Sequence, residues 1–360
     1  MGAGTQQQQH GGPSLSLHFP TVSGQPTPSR ARALLASLRI PNAPSVVSNA
    51  WFGFMLGCFY LGDSTGASTE LPLVIIAGLC LYFAGNLAND WFDRKWDATH
   101  RPERALPAGL FQPIYYLLAA AILGANGLAA AAAVNLPTLS AGVAILVLIG
   151  IYTWLHKRTR WAVLPMGLCR AGLYLMGACA AMPEVWLEEA TASLRSTTTT
   201  TTGMVFTPED ALRLLWFFTT HALGVLIYIA GLSLAARYES TEHPPHGMVL
   251  LSRAMLLLPL AAMSCWWMSW YPLPTLVGLV PFAIWLSLSL TRFRSPVPKF
   301  VSALLAGIPL IDFISCVPLA ISLAAPDLRF VEQPLLVATV TIPLVAFALG
   351  RLLQRVAPAT

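Results

Sequence analysis

Between positions 86 and 97 the chain reads Asn86-Leu-Ala-Asn89-Asp90-Trp-Phe-Asp93-Arg94-Lys95-Trp-Asp97. At 100° per residue, Asn86, Asp90, Asp93 and Asp97 fall at offsets i, i+4, i+7 and i+11 of a helix. They share one face, within roughly 60° of arc, and Asn89 lies beside the stripe. Three carboxylates stacked over two turns repel one another and destabilise the helix unless cations lie between them. Carboxylate oxygens are hard ligands suited to Mg2+, which is usually held by one or two carboxylates together with substrate phosphates. The stripe therefore points to a divalent-metal site that grips a phosphorylated ligand. The plainer alternative is a solvated helix end with surface ion pairs to Arg94 and Lys95.

Just downstream stands Arg101-Pro-Glu-Arg104-Ala-Leu-Pro107-Ala-Gly109. A loop bearing Pro and Gly cannot continue the helix. It can fold Arg101 and Arg104 back toward the acidic face, where the planar guanidinium fork suits diphosphate oxygens.

The elements that hold these residues are membrane spans. Of the 360 residues 56% are hydrophobic and 10% charged, whereas an ordinary soluble protein carries about 25% charged residues. A soluble core has no way to hide so much apolar surface, so lipid is part of the solvent. Runs long enough to cross a bilayer, about 20 residues each, occur near 43–62, 70–89, 112–134, 137–155, 162–182, 211–235, 249–270, 273–291, 300–323 and 333–353. The expected fold is an all-α bundle of nine or ten transmembrane helices, the 249–291 pair being split by Tyr271-Pro272-Leu273-Pro274.

With the N-terminus in the cytoplasm, the inside segments hold seventeen of the 21 basic residues. The outside receives Arg195, Arg213 and Arg329, and Arg170 sits within a span. This bias supports the orientation and places the acidic stripe at the cytoplasmic mouth of the second span. The clustered positive charge reads as a membrane-orientation signal rather than as nucleic-acid binding. Residues 1–35, rich in Gln, Gly, Pro and Ser, are expected to form a disordered tail before a single domain over 36–355. The stretch 183–210, with threonines from Thr197 to Thr202, reads as a low-complexity outer loop.

The run Asn89-Asp90-Trp-Phe-Asp93-Arg-Lys-Trp-Asp97, followed by Arg104-Ala-Leu-Pro107-Ala-Gly109, resembles the UbiA superfamily of intramembrane prenyltransferases. The basic loop with Tyr152, His156, Lys157 and Arg158 is similar to that family too, and the likeness covers residues 40 to about 325. The resemblance implies a helical bundle around a cavity open to lipid, with Mg2+ bound through two Asp-rich motifs. It also implies transfer of an isoprenyl group from a prenyl diphosphate to a lipophilic, aromatic acceptor, at a cytoplasm-facing site in a bacterial inner membrane. On that reading Asp90, Asp93 and Asp97 bind Mg2+ and diphosphate with Asn89, while Arg101, Arg104 and Lys157 neutralise leaving-group charge.

The second Asp-rich motif is missing. The sixth span ends Ala236-Arg237-Tyr238-Glu239-Ser-Thr-Glu242, without aspartate. Glu239 and Glu242, three apart on one helical face, are its candidate replacements, the alternative being ordinary polar loop residues. The same ending resembles the EboC-type branch of the superfamily, which occurs near genes for exporting natural-product precursors. A catalytically degenerate protein that binds or helps export such a precursor is therefore the rival reading. Within the spans, Asn42 and Asn49 lie seven apart on one face and are candidates to line the cavity, packing amides being the alternative. Arg170 is expected either to face the cavity as a substrate contact or to pair with an acid such as Asp312.

Overall fold

The computed structural model describes residues 29–61, 67, 69–181, 208–239, 245–324 and 333–357. These are helical, with no strand among the described residues. Helices are the expected answer where no water is available to satisfy backbone groups. The elements are α1 (Arg30–Ser37), a 3-10 turn (Ile40–Asn42), α2 (Ala43–Leu61), α3 (Glu70–His100), α4 (Pro113–Ala132), α5 (Leu136–Leu155) and α6 (Val163–Ala180). They continue with α7 (Pro208–Glu239), α8 (His246–Trp270), α9 (Pro272–Thr291), α10 (Val297–Ala306), α11 (Ile308–Leu323) and α12 (Gln333–Leu353).

Every expected apolar run coincides with a helix or, over 300–323, with the pair α10–α11. Among the described residues, nine helical segments are long and apolar enough to cross a membrane. The helix α2, of 19 residues, is not one of the nine. Two expected boundaries shift. The helix α1 begins at Arg30, so the tail boundary at 35 falls inside a helix, and α7 begins at Pro208, within the expected 183–210 loop. The Thr tract of that loop lies outside the described residues.

Neighbours in sequence pack as antiparallel pairs, α3 on α4, α5 on α6 and α7 on α8. The segment Val297–Leu323 is the central one, with 83% of its apolar window buried against 22% for α12. Between α2 and α6 the backbones nearly touch. A Cβ on Gly53 would stand 2.2 Å from the Tyr174 carbonyl oxygen, and one on Gly177 would stand 2.3 Å from that of Ala50. Only glycine permits this approach. It brings Ser48 and Asn49 of α2 within reach of Arg170 and Tyr174 of α6.

The central span is broken at Gly307, before Pro309, whose missing N–H cannot continue the ladder. Carbonyls at the break are taken up by side chains: Trp285 Nε1 donates to Ala303 (2.8 Å) and the Tyr228 hydroxyl to Leu304 (2.7 Å). The break turns Val301 and Leu305 of α10 toward a cavity bounded by α3, α5, α6 and α7.

Candidate active site at the mouth of α3

The helix α3 has 31 residues, about 46 Å at 1.5 Å per residue, against a hydrocarbon core of about 30 Å. Its last turns must therefore project from the apolar slab, and these carry the acidic stripe. The acids are nevertheless covered: Asp90, Asp93 and Asp97 are only 8%, 6% and 2% exposed. A small second core supplies the cover. Ala105, Leu106, Leu110 and Phe111 of the loop after α3, with Ala33 and Leu38 from the N-terminal segment, pack on Leu87, Trp91, Tyr116 and Ala120. Gly109 makes the loop possible, since its φ of 69° lies in the left-handed region that side-chain-bearing residues rarely adopt.

The loop delivers Arg104 as expected. Its Nη1 donates to Asp90 Oδ1 at 3.2 Å and to Asp97 Oδ2 at 3.1 Å, placing one cation between two carboxylates of the stripe. Asp93 takes a histidine, a lysine and an amide. His156 Nε2 lies 2.9 Å and Lys157 Nζ 3.5 Å from its Oδ2, and Asn89 Nδ2 donates to the same oxygen at 3.4 Å. Lys157 also stands over the Trp96 ring, 3.3 Å from the centroid. Partial burial pulls its ammonium below the usual lysine value, with Asp93 and Asp97 pulling the other way. The alternative of surface pairs to Arg94 and Lys95 is not what forms: Arg94 Nη1 donates to the Trp91 carbonyl, and its guanidinium lies over that ring.

One cation at this mouth is legible in the sequence only as loop charge. Arg39 holds a left-handed backbone (φ 49°) just before Ile40-Pro41. From there Nη1 donates to Asn86 Oδ1 at 2.8 Å, and Nη2 lies 3.9 Å from Asp90. Asn86 in turn donates to the Leu38 carbonyl at 3.0 Å, so it clamps the Arg39 turn. The adjoining Ile-Pro and Asn42 were the available hint. His156 was equally visible as a basic-loop residue, without its partner.

Two buried oxygens of the stripe, Asp97 Oδ1 and Asn89 Oδ1, accept no hydrogen bond. Buried acceptors left this way call for an ion or a ligand group. No cluster of three or more His, Cys, Asp or Glu residues poised for a metal occurs among the described residues. Mg2+ does not require one, because phosphate oxygens and water complete its shell. The donor set therefore fits a Mg2+ held by one or two carboxylates of the stripe.

Behind the mouth lies a cavity of about 410 Å³. Arg39, Asn42, Asn86, Asn89, Arg101 and Arg104 line its polar end. Its walls are apolar or aromatic, with Leu81, Tyr82, Ile149, Tyr152, Leu232 and Leu305 among them, and Arg170 stands in its wall. Asn49, expected beside Asn42, is instead fully buried behind that wall. It accepts from Arg170 Nη1 at 3.1 Å and donates to Asp312 Oδ2 at 2.9 Å. Arg170 thus lines the cavity and reaches Asp312 through an amide. Of the second motif, Glu239 is the final residue of α7, three positions after the cavity-lining Ala236, and Glu242 lies outside the described residues.

The fold and the site define an integral membrane protein built around an apolar chamber with a charged mouth. Residues 50–308 match the UbiA prenyltransferase family, and the chain belongs to it. Digeranylgeranylglyceryl phosphate synthase of Halobacterium salinarum is 33% identical over 99 residues, covering 28% of this chain and 35% of that protein. The Methanopyrus kandleri protein of the same name is 31% identical over 147 residues, 38% of this chain and 52% of that one. The match thus spans about a third to a half of these relatives. The solved UbiA homologue from Aeropyrum pernix shares the fold, with a TM-score of 0.56 over 75% of this chain and 94% of that one, at 18% identity.

Proposed function

We propose that the protein transfers an isoprenyl group from a prenyl diphosphate to a lipophilic acceptor, with Mg2+ at the acidic stripe. The observation that carries this reading is the buried row Asp90, Asp93 and Asp97, interleaved with Arg104, His156 and Lys157 beside the polar end of an apolar cavity. A diphosphate bound there meets Arg39, Arg101, Arg104 and Lys157, and its isoprenyl tail enters the cavity. When bound by carboxylates among Asp90, Asp93 and Asp97, Mg2+ would neutralise charge on the departing diphosphate. The allylic C–O bond breaks and its electron pair leaves with the diphosphate. The acceptor's electron pair forms the new bond to the allylic carbon, and the acceptor loses a proton. The arginines and Lys157 oppose the developing negative charge from fixed positions. Tyr82 and Tyr152 present aromatic faces to the cationic carbon, and the apolar walls keep water from it.

The test is release of pyrophosphate from a labelled prenyl diphosphate by the protein in liposomes, over glyceryl phosphate, quinoid, phenolic and indolic acceptors. Release that needs both Mg2+ and an acceptor is expected. One observation favours the rival, a non-catalytic relative that binds or helps export a precursor: 228–246 contains no aspartate. Tight prenyl diphosphate binding with no release across the panel would establish it.

The mouth opens to the cytoplasm on this proposal. In a background without native cysteines, single cysteines replacing His100, Arg158 or Ser295 are expected to react with an impermeant thiol reagent only from the cytoplasmic side. Those replacing Ala190 or Leu328 are expected to react only from outside. One residue labelled from the wrong side would overturn the topology.

A further inference from the structure

The transfer reading leaves the acceptor open, and the cavity carries a feature that bears on it. Arg170 is 9% exposed, stands in the cavity wall, and lies well inside the bundle rather than at the mouth. Its guanidinium carbon is 5.7 Å from the Tyr82 ring. Tyr82 precedes Asp90 by eight residues on α3, about 12 Å of helical rise. The cavity therefore has two cationic poles: Arg39, Arg101 and Arg104 at the mouth, and Arg170 alone at depth.

Arg170 is not consumed by its neighbours. A guanidinium has five N–H donors, and its one hydrogen-bond partner among the described residues is Asn49 Oδ1. Asp312, the nearby acid, is already satisfied by Ser48, by both contacts of Asn49 and by the Tyr174 hydroxyl. Asp312 orients Asn49, which holds one edge of the guanidinium, and Arg170 also lines the cavity. A guanidinium lining a largely apolar cavity is costly unless water or a ligand meets it.

Resting on the transfer reading, we infer that Arg170 binds the anionic head of the acceptor, a phosphate or carboxylate group. It acts as the residue that selects charged over neutral acceptors. An anionic acceptor sharing the chamber with a diphosphate faces strong repulsion at low dielectric. A second cation held apart from the mouth offsets that repulsion and gives the two anions separate places. Asn49 and Asp312 are positioning residues for Arg170.

The experiment is equilibrium binding to the full-length protein in nanodiscs, with no prenyl diphosphate present. Three radiolabelled probes are compared: an alkyl glyceryl phosphate, an alkylated hydroxybenzoate and a neutral alkylphenol. The wild type is expected to bind at least one anionic probe about 10-fold or more tighter than the phenol, and the better anion identifies the head group as phosphate or carboxylate. Arg170→Gln is expected to erase that preference, and Arg170→Lys to keep part of it. Prenyl diphosphate affinity, titrated separately, should change by less than about 2-fold. Because Arg170→Gln leaves Asp312 without its cation, the charge-balanced double variant Arg170→Gln/Asp312→Asn is measured alongside.

Absence of anion preference in the wild type would overturn the inference. So would anion preference retained in either Gln variant, or a parallel loss of prenyl diphosphate affinity, which would put Arg170 at the mouth's pole. If no acceptor supports pyrophosphate release but anion preference is present and depends on Arg170, the transfer reading fails and the Arg170 site stands.

Discussion

Asp93→Asn and Asp90→Asn are each expected to remove Mg2+-dependent prenyl diphosphate binding and to lower kcat/KM by roughly 10²- to 10³-fold, the equivalent of about 3–4 kcal/mol. The amide keeps the shape and can still accept a hydrogen bond, so what is lost is charge and metal affinity. In Asp90→Asn, Arg104 keeps its 3.1 Å contact with Asp97. In Asp93→Asn, His156 and Lys157 remain at the mouth, where Lys157 still has the Trp96 face. Folding should therefore suffer by no more than about 1–2 kcal/mol, and thermal unfolding in detergent checks that separately from binding. Isothermal titration with a prenyl diphosphate, with and without Mg2+, is the deciding measurement. Full Mg2+-dependent affinity in both variants would show that the stripe is not the metal site.

The second large effect concerns Glu239 and Glu242. Leaving-group stabilisation by metal works best when ligands close on the diphosphate from both sides, and the stripe on α3 supplies only one. The helix α7 lines the opposite wall through Ile229, Leu232, Ser233 and Ala236 before it ends at Glu239. Replacing both glutamates by Gln should leave diphosphate binding largely intact, because Asp90, Asp93 and Asp97 remain. Turnover should fall by roughly 10²-fold or more, corresponding to loss of a transition-state contact worth about 3 kcal/mol. The readout is the liposome pyrophosphate assay, run under single-turnover conditions so that chemistry is separated from release. Wild-type turnover in the double variant would assign the second ligand set elsewhere. An equal loss of binding and turnover would mean that the glutamates act on the ground state.

The acidic stripe was legible because helical register is local: four positions at i, i+4, i+7 and i+11 share a face whatever surrounds them. The return of Arg104 was legible for the same reason, since Pro and Gly limit what a short loop can do. The apolar runs and the charge bias specified nearly every helix, because a bilayer leaves the backbone few choices. Tertiary structure decided the rest. Arg39 looked like one more inside charge until the turn at Ile40–Asn42 aimed it at Asn86 and Asp90. That the acids lie buried, near a small core of loop and N-terminal residues, was decided by packing. Asn49 looked like a neighbour of Asn42 on the cavity wall. The contact of α2 with α6, through Gly53 and Gly177, instead gave it to Asp312, 263 positions away in the chain. No periodicity encodes such a pairing. It exists because two glycine-bearing backbones can approach closely enough to carry buried polar groups into one another's reach, and that approach is a property of the packed bundle.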